Sequence, residues 1–197
     1  MAEFIVQGTG RCGTKSMCDW MRATHPINVK DDKGSIDQRL IYAKDAAELH
    51  YLLSLIGGNI VNGGDRTICA LPIIEQVWPG CKYIWLRRKR EHCIGSMYRR
   101  GWGHASNTDR IGWPANRLVP DEATKAAWKD KGEKCAWYHD KSVEIIGGDL
   151  ETIHPDRRTT VWLEEFLASA DERKRVAEFV QRSELATKKF PHLNRTG

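Results

Sequence analysis

The sequence predicts a three-layer α/β/α domain built around a central, mostly parallel β-sheet. Three observations carry this reading. Short apolar strands alternate with segments of helical period along the chain. The clearest strand, Tyr83-Ile84-Trp85-Leu86, is apolar throughout, as a strand covered on both faces is. The first strand runs straight into a glycine cluster that opens a helix, Gly8 to Ser16. No internal repeat, low-complexity tract or Pro/Ser-rich linker divides the 197 residues, so 1–197 reads as one domain, long enough to bury a core unaided.

Phe4-Ile5-Val6 is a short buried strand, and a helical pattern follows from about Thr14 to Arg22. Ala46 to Ile56 places apolar residues at helical spacing and stops at Gly57-Gly58. Asn59-Ile60-Val61 fits a second strand, and Leu71 to Trp78 a helix ended by Pro79-Gly80. After Tyr83–Leu86, Glu91 to Arg100 is helical again. Residues 101–120 carry Gly, Pro and Asn without period and read as a long loop. A single long helical stretch is expected from about Glu122 to Ile146, then a strand at Thr159 to Leu163 and a helix at Asp171 to Arg182.

Composition excludes several classes. No apolar run approaches the roughly 18–20 residues that span a bilayer, so no membrane association is expected. The start, Met1 to Val6, has no basic and long apolar segment of a secretory signal. Six scattered cysteines, none in a CxxC pair, read as free thiols and fit a cytoplasmic location. The balance of 31 basic and 26 acidic residues gives +5, a mild excess whose placement matters more than its size. The 17 glycines and eight tryptophans need separate explanations.

The strongest local signal is Gly8-Thr9-Gly10-Arg11-Cys12-Gly13-Thr14-Lys15-Ser16 between a strand and a helix. Glycines let the backbone turn tightly and present N–H groups, the helix N-terminus adds partial positive charge, and Arg11 and Lys15 add full charges. That is an anion cradle; without an anion, two cations would crowd the positive end of a helix. A Walker A register fails, because Thr14 follows Gly13 and Lys15 arrives one position late. The dinucleotide spacing Gly8, Gly10, Gly13 is present, but the turn is cationic and no acidic residue ends a clear second strand.

A second cationic cluster, Arg87-Arg88-Lys89-Arg90, sits at the C-terminal end of the Tyr83–Leu86 strand, where open α/β sheets bind ligands. Ser96 follows Arg88 by eight residues, inside the next helix. Cations gathered at one strand end suit a compact phosphate, whereas a nucleic-acid interface spreads them along a face, so no nucleic-acid partner is expected.

Together these motifs resemble the sulfotransferase superfamily, which uses 3'-phosphoadenosine-5'-phosphosulfate (PAPS). Arg11-Cys12-Gly13-Thr14-Lys15-Ser16 resembles the family's 5'-phosphosulfate loop, and Arg88 and Ser96 match its 3'-phosphate pair. Asp65-Arg66-Thr67 with Pro72 and Trp78-Pro79-Gly80, and Val161-Trp162-Leu163-Glu164-Glu165-Phe166, are similar to two further family segments. So is the tail Pro191 to Arg195, which is similar to small bacterial and phage-type members. Where the family commonly has R-[DN]-P, this chain has Arg88-Lys89-Arg90.

The resemblance implies a P-loop-like fold and in-line transfer of a sulfuryl group from PAPS to a hydroxyl or amine, releasing adenosine 3',5'-bisphosphate without a metal. It implies that Gly10, Arg11, Cys12, Gly13, Thr14, Lys15, Ser16, Arg88 and Ser96 hold the donor. Arg11 then acts as a charge clamp on the leaving oxygen, since a guanidinium does not give up its proton. Arg66 faces the transferring group, and His25 is the candidate base, with Asp31, Asp32 and Asp65 behind it and a plain loop residue as its other reading. Residues 101–134 match no family segment and are assigned to the acceptor side, with Trp102, Trp113 and Arg99 as contacts to a small-molecule or carbohydrate acceptor. Packing in the core is the other reading of those tryptophans. A P-loop kinase or NTPase and a non-catalytic nucleotide-binding module are the alternatives.

Overall fold

The first strand, β1 (Phe4–Gln7), is buried along its whole length. In the computed structural model, which describes residues 3–23, 46–54, 60–65, 67–101, 118 and 120–191, it lies in mid-sheet. Among the described residues the sheet has four strands, β1, β2 (Ile60–Gly64), β3 (Lys82–Arg87) and β4 (Arg158–Trp162). All pair in parallel, in the order β2-β1-β3-β4. The registers Gln7↔Gly64, Gln7↔Trp85 and Arg87↔Trp162 bring the C-terminal ends of all four strands to one edge. That edge carries the site.

Strand alternation sends side chains into two helical layers. Phe4, Val6, Ile84, Leu86 and Val161 face one layer. It is formed by α1 (Thr14–Arg22), α7 (Leu163–Ala168) and α8 (Ala170–Phe179). Trp20 and Phe166 meet edge to face there at 4.9 Å, a pair worth about 0.5–1.5 kcal/mol beyond the area it buries. Ile5 and Tyr83 face the opposite layer. Its helices are α2 (Ala46–Ser54), α3 (Leu71–Val77), α4 (Arg90–Arg99) and α6 (Lys131–Glu151). The three-layer α/β/α expectation is met, and no helix among the described residues is long and apolar enough to cross a membrane.

Three differences from the sequence reading go beyond a shift of a residue or two at an element's end or bear on the site. The stretch expected as one helix from Glu122 to Ile146 is two, α5 (Glu122–Ala127) and α6. Asp130 is the reason, since its carboxylate accepts from the Glu133 amide at 3.0 Å while the Glu133 carboxylate accepts from the Lys129 amide at 2.6 Å. Such reciprocal capping stabilises a new start by about 1 kcal/mol. Leu163, expected as strand, instead opens the short helix α7, and Ser169 both ends that helix and caps α8 through the Glu172 amide at 3.1 Å. The second strand begins at Ile60 and reaches Gly64, so Asp65 follows its end directly. The sequence reading had found no carboxylate there.

All six cysteines are buried free thiols. Burial pushes the Cys12 thiol up to about 12 and the Cys93 thiol to about 11, so neither is a ready nucleophile.

Candidate functional site

The turn Gly8–Gly13 leaves the middle of the sheet and enters α1. Gly8 is required by space, since a Cβ there would collide with Cys12 Sγ and lie 3.1 Å from the Leu86 carbonyl oxygen. Gly10, Arg11 and Gly13 all have positive φ, at 76°, 57° and 98°. For Arg11 this left-handed conformation costs about 1–2 kcal/mol unless something holds it. Arg88 does so, its Nη1 donating to the Arg11 carbonyl at 3.1 Å.

The helix that follows has no side-chain cap at Gly13 and no acidic residue in its first turn, which instead carries Lys15. Around the turn stand Arg11, Arg88 and Arg100. Burial, then the charges of Arg100 and Arg88, lowers the pKa of Arg11, while Asp65 acts in the opposite sense. A half-buried cationic cluster at an uncapped helix start fits an anionic ligand such as a phosphate or sulfate ester, and the positive-φ turn gives that ligand backbone N–H groups.

The two cationic motifs form one network. Arg11 Nε donates to Ser96 Oγ at 3.2 Å, so the loop side chain reaches α4 directly. Arg88, which holds the Arg11 carbonyl, also faces Glu164 with Nε at 3.9 Å. Glu164 lies just beyond β4 and gathers the neighbouring strand end. Its carboxylate accepts from the Lys89 amide at 3.2 and 3.3 Å and pairs with His92 Nδ1 at 2.9 Å. Burial alone would raise the Glu164 carboxyl, but the hydrogen bonds from His92 and the Lys89 amide outweigh it and its pKa is lowered. On the other side, Thr67 Oγ1 donates to Gln7 Oε1 at 2.7 Å, tying the turn after β2 to the last residue of β1.

The basic run is therefore not one patch. Arg88 turns to the loop, and Arg90 pairs in bidentate fashion with Asp140 at 2.8 and 2.7 Å. Arg87 lies between the rings of Trp85 and Trp162, its guanidinium carbon 4.7 and 4.3 Å from their centroids.

The residues expected to hold the donor, Gly10 to Ser16 with Arg88 and Ser96, are all described and lie together at the strand ends. Cys12 stands apart from the rest because its side chain is 1% exposed and packs in the core, leaving only its backbone to face a ligand. Arg99 is exposed on the last turn of α4, and it is the charge of Arg100, not Arg99, that bears on Arg11. His25, Arg66, Trp102 and Trp113 lie outside the described residues, as does most of 101–120. Of the insertion 101–134, Leu118 and Pro120 are buried and α5 is followed by the start of α6. Sequence reasoning gave no role to Glu164, His139 or Asp140, and held Asp65 only as a reserve for the base behind His25. A carboxylate at the end of the strand next to a basic strand end was the signal for Glu164.

Neither a family model nor a curated protein sequence matches the chain. Solved structures do. A sulfotransferase from Alicyclobacillus acidocaldarius superposes with a TM-score of 0.58 over 100% of this chain and 87% of its own, at 12% identity. The fold is that of sulfotransferases. A sulfotransferase domain from the curacin biosynthetic pathway gives a TM-score of 0.55 over 95% of this chain and 78% of its own, at 13% identity. At such identities the agreement is one of architecture. It covers nearly the whole chain, and this chain's cationic turn lies at the C-terminal edge of the parallel sheet.

Proposed function

We propose that this protein is a PAPS-dependent sulfotransferase, moving a sulfuryl group to a hydroxyl or amine of a small-molecule or carbohydrate acceptor. The observation that carries the reading is the joined Arg88–Arg11–Ser96 network across a positive-φ turn, at the ligand edge of a sulfotransferase fold. PAPS supplies an activated sulfuryl group whose transfer builds charge on the bridging oxygen. The residues answer that charge. Backbone amides of Gly13 to Ser16 and the start of α1 bind the 5'-phosphate end, and Arg88 with Ser96 binds the 3'-phosphate. Arg11 stands over the leaving oxygen as a fixed positive charge. Catalysis of this kind rests on positioning and preorganised electrostatics, with little covalent work for the protein.

The Arg11–Ser96 hydrogen bond gives this reading a specific requirement. Arg11 and Ser96 serve opposite ends of the nucleotide, so Ser96 must reach the ligand through its hydroxyl hydrogen and Arg11 through its Nη groups, which their mutual bond leaves unused.

Thermal-shift measurements with adenosine 3',5'-bisphosphate, ATP–magnesium and NAD test the reading. A ligand at a hundredfold excess over Kd stabilises a protein by about 2.7 kcal/mol. Stabilisation by the bisphosphate, with transfer from labelled PAPS to an acceptor panel, is the expected result. Response to ATP–magnesium alone would replace it with a kinase or NTPase. Bisphosphate binding without transfer to any acceptor would leave a nucleotide-binding module.

A further inference from the structure

The junction of β4 and α7 touches both cationic motifs. Leu163 packs against the glycine turn, its Cδ2 3.3 Å from where a Cβ on Gly13 would stand. The next residue, Glu164, lies against the end of β3 and the start of α4. Its carboxylate takes the Lys89 amide at 3.2 and 3.3 Å and His92 Nδ1 at 2.9 Å.

Helix α4 has no cap of its own. Its N-cap residue, Lys89, makes no side-chain cap, and a helix start leaves N–H groups without intrahelical partners. In a capping box, a glutamate at the third helical position reaches back to the N-cap amide. Here that position holds His92, and a glutamate 75 residues along the chain takes the amide instead. The start of α4 is therefore fixed to the end of β4. Ser96 follows His92 by four residues, about one turn further along the same helix.

Arg88 is held by the same carboxylate. Its Nη1 donates to the Arg11 carbonyl at 3.1 Å and its Nε lies 3.9 Å from Glu164 Oε1, while Nη2 makes no hydrogen bond among the described residues. An arginine that is free to rotate loses rotamer entropy when it binds a ligand, and one held at two points has lost it beforehand. The Glu164 charge is shared with nearer groups on Lys89 and His92, so to Arg88 it is a fixed reference more than a rival for an anion.

We propose that Glu164 is a positioning residue of the donor site. By holding Arg88 and the start of α4 in place, it sets the preference for a nucleotide with a 3'-phosphate over one without. The proposal rests on the PAPS reading, in which Arg88 and Ser96 bind the 3'-phosphate. Glu164 itself acts only through them.

Calorimetric titration with adenosine 3',5'-bisphosphate and adenosine 5'-phosphate tests this at one pH and ionic strength. The proteins are wild type, Glu164→Gln, Glu164→Ala, Arg88→Ala and the double variant Glu164→Gln/Arg88→Ala. The two nucleotides differ only in the 3'-phosphate, and wild type is expected to bind the bisphosphate at least about tenfold tighter. Glu164→Gln keeps an acceptor for the Lys89 amide but not the charge beside Arg88, and should cut the preference about three- to fivefold. Glu164→Ala loses both and should cut it about tenfold. Adenosine 5'-phosphate should bind wild type and both Glu164 single variants within about twofold. In the Arg88→Ala background, Glu164→Gln should change the preference by less than about twofold, because the group it acts through is gone.

A residue that only stabilised the fold would weaken both nucleotides together. That result, a preference that survives Glu164→Ala, or losses that add in the double variant overturns the positioning role. So does tighter binding of the bisphosphate by Glu164→Gln, which would make Glu164 a competing anion. Equal binding of the two nucleotides by wild type overturns the PAPS reading and this role together, so the two failures are read on different proteins.

Discussion

Replacing Arg88 by alanine separates the loop from the strand end that holds it. Two interactions go, the 3.1 Å bond to the Arg11 carbonyl and the 3.9 Å approach to Glu164. A hydrogen bond to a charged group contributes about 1.5–3 kcal/mol, but the Arg88 side chain is 31% exposed, so water screens part of this. A stability loss of about 1–2 kcal/mol follows, and in a chain of this length it lowers Tm by about 2–8 °C. The cost to ligand binding is separate. Losing one charged contact to a phosphate should weaken adenosine 3',5'-bisphosphate by about 10- to 150-fold. Calorimetry at fixed ionic strength reads the affinity, and a melting curve without ligand reads the stability. Arg88→Lys, with the charge but not the fork, should fall between. An Arg88→Ala protein that binds the bisphosphate within about twofold of wild type would refute the assignment of Arg88 to the phosphate.

Arg11→Ala should lower kcat by more than tenfold, as removal of a fixed charge from a developing oxyanion does, with a smaller change in bisphosphate affinity. Equal losses in both would undo the division of roles between Arg11 and Arg88. Gly8→Ala forces a methyl against Cys12 Sγ and the Leu86 backbone and should cost about 1–3 kcal/mol or more. Gly148→Ala, on α6 with nothing within 4 Å, should gain up to about 1 kcal/mol; denaturant midpoints that fail to diverge would contradict this. The buried thiols make stability depend on alkaline pH. Because the folded-state pKa values of Cys12 and Cys93 are raised, their contribution is full below the ordinary thiol value and disappears as pH rises toward about 12 and about 11. One unit above the ordinary value each thiol costs about 1.4 kcal/mol, so Tm should fall from pH 8 to pH 10 and Cys12→Ala should flatten the fall. An unchanged slope in that variant would remove Cys12 as its source.

The glycine turn was legible because its chemistry is local. Glycines and cations between an apolar strand and a helix leave few alternatives, and α1 begins and ends where the residues place it, Thr14–Arg22. The fate of Arg87 to Arg90 was not legible, because it depends on partners at Asp140, Trp162 and Glu164 that only the packing of α6 and β4 supplies. The place of Asp65 at the end of β2 was missed for a related reason. The extent of β2 is set by its pairing with β1, not by the apolar count of Asn59 to Val61. The break between α5 and α6 was readable in principle from Asp130 and Glu133, but the helical period on both sides concealed it.

The bond from Arg88 to the Arg11 carbonyl spans 77 residues of chain. A nascent chain that has emerged only as far as α3 already contains every glycine of the turn, yet it lacks the side chain that fixes the turn's shape. Nucleotide capture is therefore expected to appear late in folding, after β3 has docked beside β1, and to act as a reporter for that long-range pairing. The same dependence means that the nine residues from Gly8 to Ser16, transplanted into another α/β scaffold, should carry over their sequence without their affinity unless the neighbouring strand also ends in a correctly placed arginine.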